Sequence, residues 1–237
     1  MRARWFPAVV LLALAPPAGA QEGRRLPGGS WDTSPAQERA AAAGLEWLAR
    51  QQKPGGYWTG DVGYKLQTDY ELFQEDAPHV GVTSLALMAF LAGGDLPGRG
   101  RHGAVLQKGL GFVLACVKPD GSIESHGTRM YSHAFSTLFL AEVYGTTGDE
   151  AVRRALQRAT RFIVDAQNDE GGWRYRPKAD TSDMSVTVCQ VMALRAARNM
   201  GINVPWSTIE NAVAYVRRSA VSERDIRYFG TAGLGIA

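Results

Sequence analysis

The chain has 237 residues, 45% of them hydrophobic and 21% charged, enough apolar material for one domain with its own core. A formal net charge of +3, with no basic run on one face, points away from nucleic acid or an anionic membrane surface as a partner. The two cysteines, Cys116 and Cys189, lack the spaced Cys/His pattern of a zinc site and read as two small hydrophobes; no metal or other cofactor is implied.

Residues 1–20 read as a signal peptide. Arg2 and Arg4 form a basic start, Trp5 to Pro17 is mostly apolar, and Ala18-Gly19-Ala20 places small residues before Gln21. The apolar run falls short of the roughly 20 residues of a membrane span, so no integral span is expected once the leader is removed. A secreted or periplasmic protein follows, left with 24 basic against 23 acidic side chains.

Residues 21–35 form a flexible lead-in, and a repeat domain is expected over 36–237. Ser34-Pro35-Ala36-Gln37 has the spacing of a capping box with proline in the first turn, and the helix it opens runs through Leu45 and Leu48 to Gln52. Lys53 to His79 shows no helical period and reads as a long turn, functional or mobile, carrying Gly56, Trp58, Tyr64, Tyr70 and Phe73. A second helix, 81–91, is small and apolar on all sides and must be covered on all sides. Gly93, Gly94, Pro97 and Gly98 then break the chain.

The next pair of helices is predicted over 104–117 and 132–144, with Lys118-Pro119-Asp120-Gly121 as a turn. A third pair opens with a capping pattern at Thr147-Gly148-Asp149-Glu150, ends its first helix at Gln167 and runs its second from Asp183 to Asn199. A fourth first helix is expected from Pro205-Trp206-Ser207, capped by Ser207 and Glu210, to Ser219; its partner starts near Phe229.

Two sets of landmarks keep one period. Trp47-Leu48, Phe112-Val113, Phe162-Ile163 and Tyr215-Val216 follow one another at steps of 65, 50 and 53, and Met88-Ala89, Leu140-Ala141 and Met192-Ala193 at steps of 52. The first helices keep a charged face, as with Arg153, Arg154 and Arg158, whereas the second helices are greasy. First helices should therefore form an outer layer and second helices an inner one.

Gly44-x-x-Trp47-Leu48-x-x-x-Gln52-x-x-x-Gly56-x-Trp58 resembles the Gln-Trp (QW) repeat of squalene-hopene cyclases and related prenyltransferase and squalene-oxidase repeat proteins of the terpenoid cyclase superfamily. Phe162-Ile163-x-x-x-Gln167-x-x-x-Gly171-x-Trp173 repeats it, and Lys108-Gly109-x-x-Phe112-Val113 begins it. The second unit keeps Gly121 but has Val117 and Ile123 for the Gln and Trp; the fourth keeps only Tyr215 and Val216. The resemblance implies an all-α fold, an α/α toroid of repeated helical hairpins. Here it is an incomplete ring of about 3.5 hairpins, truncated at the C-terminus, whose unpaired outer helix calls for a partner or self-association. Gln52, Gly56, Gln167 and Gly171 are assigned to the structural repeat motif: the amides bond helix-end carbonyls, the glycines allow the turn, and Trp58 and Trp173 stack over them.

His79, Tyr131 and Asp183 occupy one repeat position at the heads of the inner helices, and Gly81, His133 and Ser185 another, each at steps of 52. If the units close around an axis, these side chains meet in one cavity, with Asp76, Tyr175 and Asp180 nearby. Three function classes follow. In the first, a ligand- or protein-binding toroid uses His79, Tyr131, Ser185, Trp58 and Trp173 to hold an apolar, glycan or protein ligand. In the second, implied by the resemblance, Asp183 is the general acid of a terpenoid cyclase or other isomerase, aided by Asp180 or His133. The Asp-x-Asp-Asp-Thr cluster of cyclases is absent, since the segment reads Asp180-Thr181-Ser182-Asp183-Met184-Ser185, and Asp183 also suits a helix N-cap. The third is a carbohydrate-active toroid drawing on Asp61, Asp69, Glu71, Asp76 and Glu124.

Overall fold

The computed structural model describes residues 33–66 and 69–220, without the side chains of 64–66 and 69–70. The expected leader, most of the lead-in and the start of a fourth inner helix lie outside the described residues.

Helix α1 (Pro35–Gln51) starts as its sequence dictates. The Gln37 N–H donates to Ser34 Oγ (3.3 Å), the Ser34 N–H donates to Gln37 Oε1 (2.8 Å), and Pro35 sits where no backbone donor is needed. No α1 residue is fully buried; Leu45, Leu48 and Ala49 rest on the core. Its outer side is tied down by Glu46, which reaches His102 Nε2 (3.1 Å) and Arg101, while His102 Nδ1 meets Asp95 (2.7 Å).

The segment after α1 is a β-hairpin and not an irregular turn. Strands β1 (Thr59–Leu66) and β2 (Asp69–Pro78) pair antiparallel from Thr59 with Pro78 to Leu66 with Asp69, with irregular register around Val62. The apolar alternation Val62, Tyr64, Leu66 and then Tyr70, Leu72 is a period of two, which a search for helical periods passes over.

Helices α2 (Val80–Ala92), α3 (Gly103–Ala115), α4 (Met130–Thr147), α5 (Glu150–Ala166), α6 (Met184–Asn199) and α7 (Trp206–Ser219) complete the described chain. The apolar α2, α4 and α6 pack side by side as one layer, and α3 and α5 lie against α2 and α4 as the outer one. Successive inner helices meet through equivalent positions: Ser84 and Ser136, 52 residues apart, share a buried hydrogen bond of 2.8 Å. Gly81 leaves room for Ser132, whose side chain a Cβ there would strike. The core is two clusters, one with Leu87, Phe90, Leu106 and Phe139 across the first two units, the other with Ile163, Trp173 and Val186 in the third.

Two expected caps differ. Asp149, not Thr147, caps α5, accepting from the N–H groups of Ala151 (2.7 Å) and Val152 (3.2 Å). Helix α7 starts behind Pro205 with no side-chain cap, so Ser207 and Glu210 form no capping box. Cys116 and Cys189 are free and half-buried; burial raises both thiols, Cys116 to about 11, which keeps them protonated and unreactive. No helix among the described residues is long and apolar enough to cross a membrane. Among the described residues α6 is the last helix of the inner layer. Val188, Val191 and Met192 are exposed there, beside a groove of about 660 Å3 that includes Leu194, Ile209 and Val213.

Candidate functional site

Each unit turns from outer to inner helix on a glycine at positive φ: Gly56 (+86°), Gly121 (+91°) and Gly171 (+87°). A Cβ at any of them would run into a carbonyl of the next outer helix, that of Lys108, Arg158 or Asn211. In units one and three a glutamine bridges the same junction. Gln52 Nε2 donates to Gly56 O (3.2 Å) and Val105 O (2.9 Å), and Gln167 Nε2 to Gly171 O (2.8 Å) and Thr208 O (3.0 Å). The indoles close it: Trp58 Nε1 donates to Leu48 O (3.0 Å), Trp173 Nε1 to Ile163 O (2.8 Å). At 5% and 1% exposure, Trp58 and Trp173 are core residues, and the expectation that they offer aromatic surface to a ligand is corrected accordingly.

The second unit replaces this lock with His133. Its Nδ1 accepts from the Ile123 N–H (3.0 Å), which puts the ring proton on Nε2, and Nε2 donates to Ala159 O (3.2 Å). Complete burial lowers its pKa to about 4. A neutral ring with both nitrogens engaged has no proton to lend, so the expectation of His133 as an assisting acid is also corrected.

Two of the three inner-helix heads share a cavity, and Asp183 and Ser185 line neither it nor the one adjoining. His79 and Tyr131 line one cavity of about 640 Å3 together with Arg129, Arg174, Tyr175, Arg176 and Asp61 to Gly63 of β1. An adjoining cavity of about 520 Å3 shares Arg129, Tyr175 and Arg176 and adds Phe73 of β2, Ile123, Met130 and Phe162. The hairpin therefore walls the site on one side.

His79 and Asp183, one repeat position, both serve as N-caps. His79 Nδ1 accepts from the Val82 N–H (3.1 Å), and burial lowers the His79 pKa, which favours that neutral acceptor. Asp183 Oδ1 accepts from the N–H groups of Ser185 (2.9 Å) and Val186 (3.2 Å) and from the Ser185 hydroxyl, and Oδ2 from Tyr175 OH (3.3 Å). The Ser185 proton is spent on Asp183, so the Tyr131 hydroxyl, 2.5 Å from Ser185 Oγ, is the donor to it. Burial, with the Asp183 charge adding to it, raises both phenols, Tyr131 to about 12. They act as donors, not bases.

Tyr131 itself is no cap, because α4 begins two residues before the register of α2 and α6 and no side chain caps it. Asp180 is exposed and Asp76 lies on the hairpin, its N–H donating to Asp61 Oδ1 (3.0 Å). Glu124 is paired with Lys118, Asp120 beside it in the lining of the smaller cavity accepts from the Ser122 N–H and hydroxyl, and Asp61 is the carboxylate lining the larger one. Sequence reasoning missed Arg129, Arg174 and Arg176. The signal was available in the repeat itself: the positions of Arg174 and Arg176 hold Thr59 and Asp61 in the first unit, Glu124 and His126 in the second.

No protein-family model matches the chain. It is 32% identical over 98 residues to drimenyl diphosphate synthase of Streptantibioticus cattleyicolor, covering 39% of this chain and 18% of that relative. Among solved structures it is similar to a type II terpene cyclase from Scytonema in complex with its substrate geranylgeranyl dihydroxybenzoate. There the TM-score is 0.48 at 18% identity, over 80% of this chain and 51% of that one. The chain thus spans less than a fifth of the curated relative. The sequence likeness is confined to those 98 residues, and the described part of the chain is mostly helical.

Proposed function

We propose that this is an exported, terpenoid-cyclase-like repeat domain that takes a small-molecule ligand into the cavity at its inner-helix heads without protonating it. The observation that supports this reading is Asp183. All four of its contacts are donors, three of them on Oδ1, which ties the carboxylate to the start of α6 as an N-cap. The same reading includes self-association at the exposed α6 edge, which sedimentation velocity on the full chain tests.

A second reading, a cyclase or isomerase with Asp183 as general acid, is favoured by the similarity to drimenyl diphosphate synthase and by the two tyrosines beside Asp183. One experiment separates the two. The full chain is incubated with squalene and with a linear prenyl diphosphate, and products are identified by mass spectrometry; saturable binding of a dodecyl-chain amphiphile is measured in parallel. Binding with unchanged polyenes is expected. Cyclic products that vanish in Asp183→Asn would replace the first reading with the second.

A further inference from the structure

We infer that the groove between α6 and α7 seats the β1–β2 hairpin of a second copy of this chain. This rests on the self-association included in the reading above and names the surface that meets the α6 edge. The inner layer shows that the edge is of a kind that is covered elsewhere. Thr83 and Thr187, 104 residues apart, accept from the N–H groups of Trp58 (3.0 Å) and Trp173 (3.1 Å), which sets the register of α2 against α6. At that spacing Ser84 and Leu87 of α2 match Val188 and Val191 of α6. The first two are fully buried against the second unit, Ser84 on Ser136 and Leu87 on Gly109, whereas Val188 and Val191 are exposed.

Charge decides what can cover the groove. Its apolar floor includes Leu194, Ile209 and Val213, and the charged side chains of its lining are Arg195 and Arg198 from α6 and Arg217 from α7, with no acid beside them. None of the three arginines is in an ion pair among the described residues; Arg198 lies over the Trp206 ring, 5.7 Å from its centre. Two such grooves face to face would set these cations against one another. Helix α2 has no charged residue, and residues 221–237 hold two acids, Glu223 and Asp225, against two bases, Arg224 and Arg227.

The hairpin carries the opposite charge. From Glu71 to Pro78, β2 has three acids, Glu71, Glu75 and Asp76, and no base. All three are exposed and in no ion pair among the described residues, and Leu72 stands exposed among them. An acidic rim around an apolar side chain complements a basic rim around an apolar floor. The same acids keep two hairpins from pairing edge to edge. Each chain has one surface of each kind, so the contact runs head to tail: two copies can make it reciprocally, and further copies can extend it.

The test is sedimentation velocity of the full chain across the micromolar range. Reversible association is expected, weakened about tenfold or more in about 0.5 M salt, where exposed charges are screened. A groove variant, Arg195→Glu with Arg217→Glu, and a hairpin variant, Glu71→Arg with Glu75→Arg, are each expected to raise the dissociation constant about tenfold or more. Mixed one to one, the two are expected to associate again, because the reversed groove then meets the reversed hairpin and the unaltered groove the unaltered hairpin. Two misfolded chains could not restore each other in this way. Association that the hairpin variant leaves unchanged overturns the inference while self-association stands, and so does a mixture that stays apart. A parent chain that is monomeric at every concentration overturns both, and the small-molecule reading is then judged by its own binding experiment.

Discussion

The first and third units solve the turn between outer and inner helix in one way and the second unit in another. Where Gln52 with Trp58 and Gln167 with Trp173 bridge three helices, the second unit has Val117 and Ile123 and hands the hydrogen bonds to a histidine from the inner helix. What survives in all three is the glycine at positive φ pressed against the next outer helix. Close backbone approach is therefore the fixed requirement of the junction, and the side chains that satisfy its polar groups are exchangeable.

The contrast can be broken from either side. Trp173→Ala removes a fully buried indole and its bond to Ile163 O; a loss of about 3–5 kcal/mol is expected in urea unfolding. The second unit should instead respond to pH. His133 is held at about 4, below its ordinary value, so as pH falls the unfolded chain takes up the proton first. Its contribution is complete above about pH 6.5 and is lost toward pH 4, a swing of about 3 kcal/mol. Urea unfolding across that range should show the slope in the parent and a flatter one in His133→Gln.

Ile123→Trp asks whether the second unit can accept the other solution. His133 and Phe162, with ring centres 4.8 Å apart, stand beside the site, so overpacking by about 1–3 kcal/mol is expected, read as a lower melting temperature. The smallest effect is Gln167→Leu, which leaves Gly171 O and Thr208 O short of a donor and should cost about 1–2 kcal/mol by the same unfolding measurement.

The helices were legible because their apolar periods and breakers are strong. Ser34 to Gln37 gave the first start, and the 52-residue spacing of His79, Tyr131 and Asp183 marked the inner-helix heads, of which His79 and Tyr131 share a cavity and Asp183 does not line it. The hairpin over 59–78 was not, since its alternation is short and broken by the irregular register near Val62. The role of His133 was hidden for a different reason. A histidine at a helix head reads the same whether it faces a cavity or turns back into the core, and only the neighbours in space, Ile123 and Ala159, decide between them. The three arginines were hidden because a search for what recurs discards what does not.

The hydrogen bond between Ser84 and Ser136 joins a residue to its own counterpart one unit along. A seam built from like positions means that each hairpin carries both halves of the contact it makes with the next. Copying a stretch of the gene in tandem then supplies a matching neighbour at once, with no second mutation needed to fit the two together. Divergence can follow afterwards at the junctions between outer and inner helices, where His133 of α4 and the arginines differ from unit to unit.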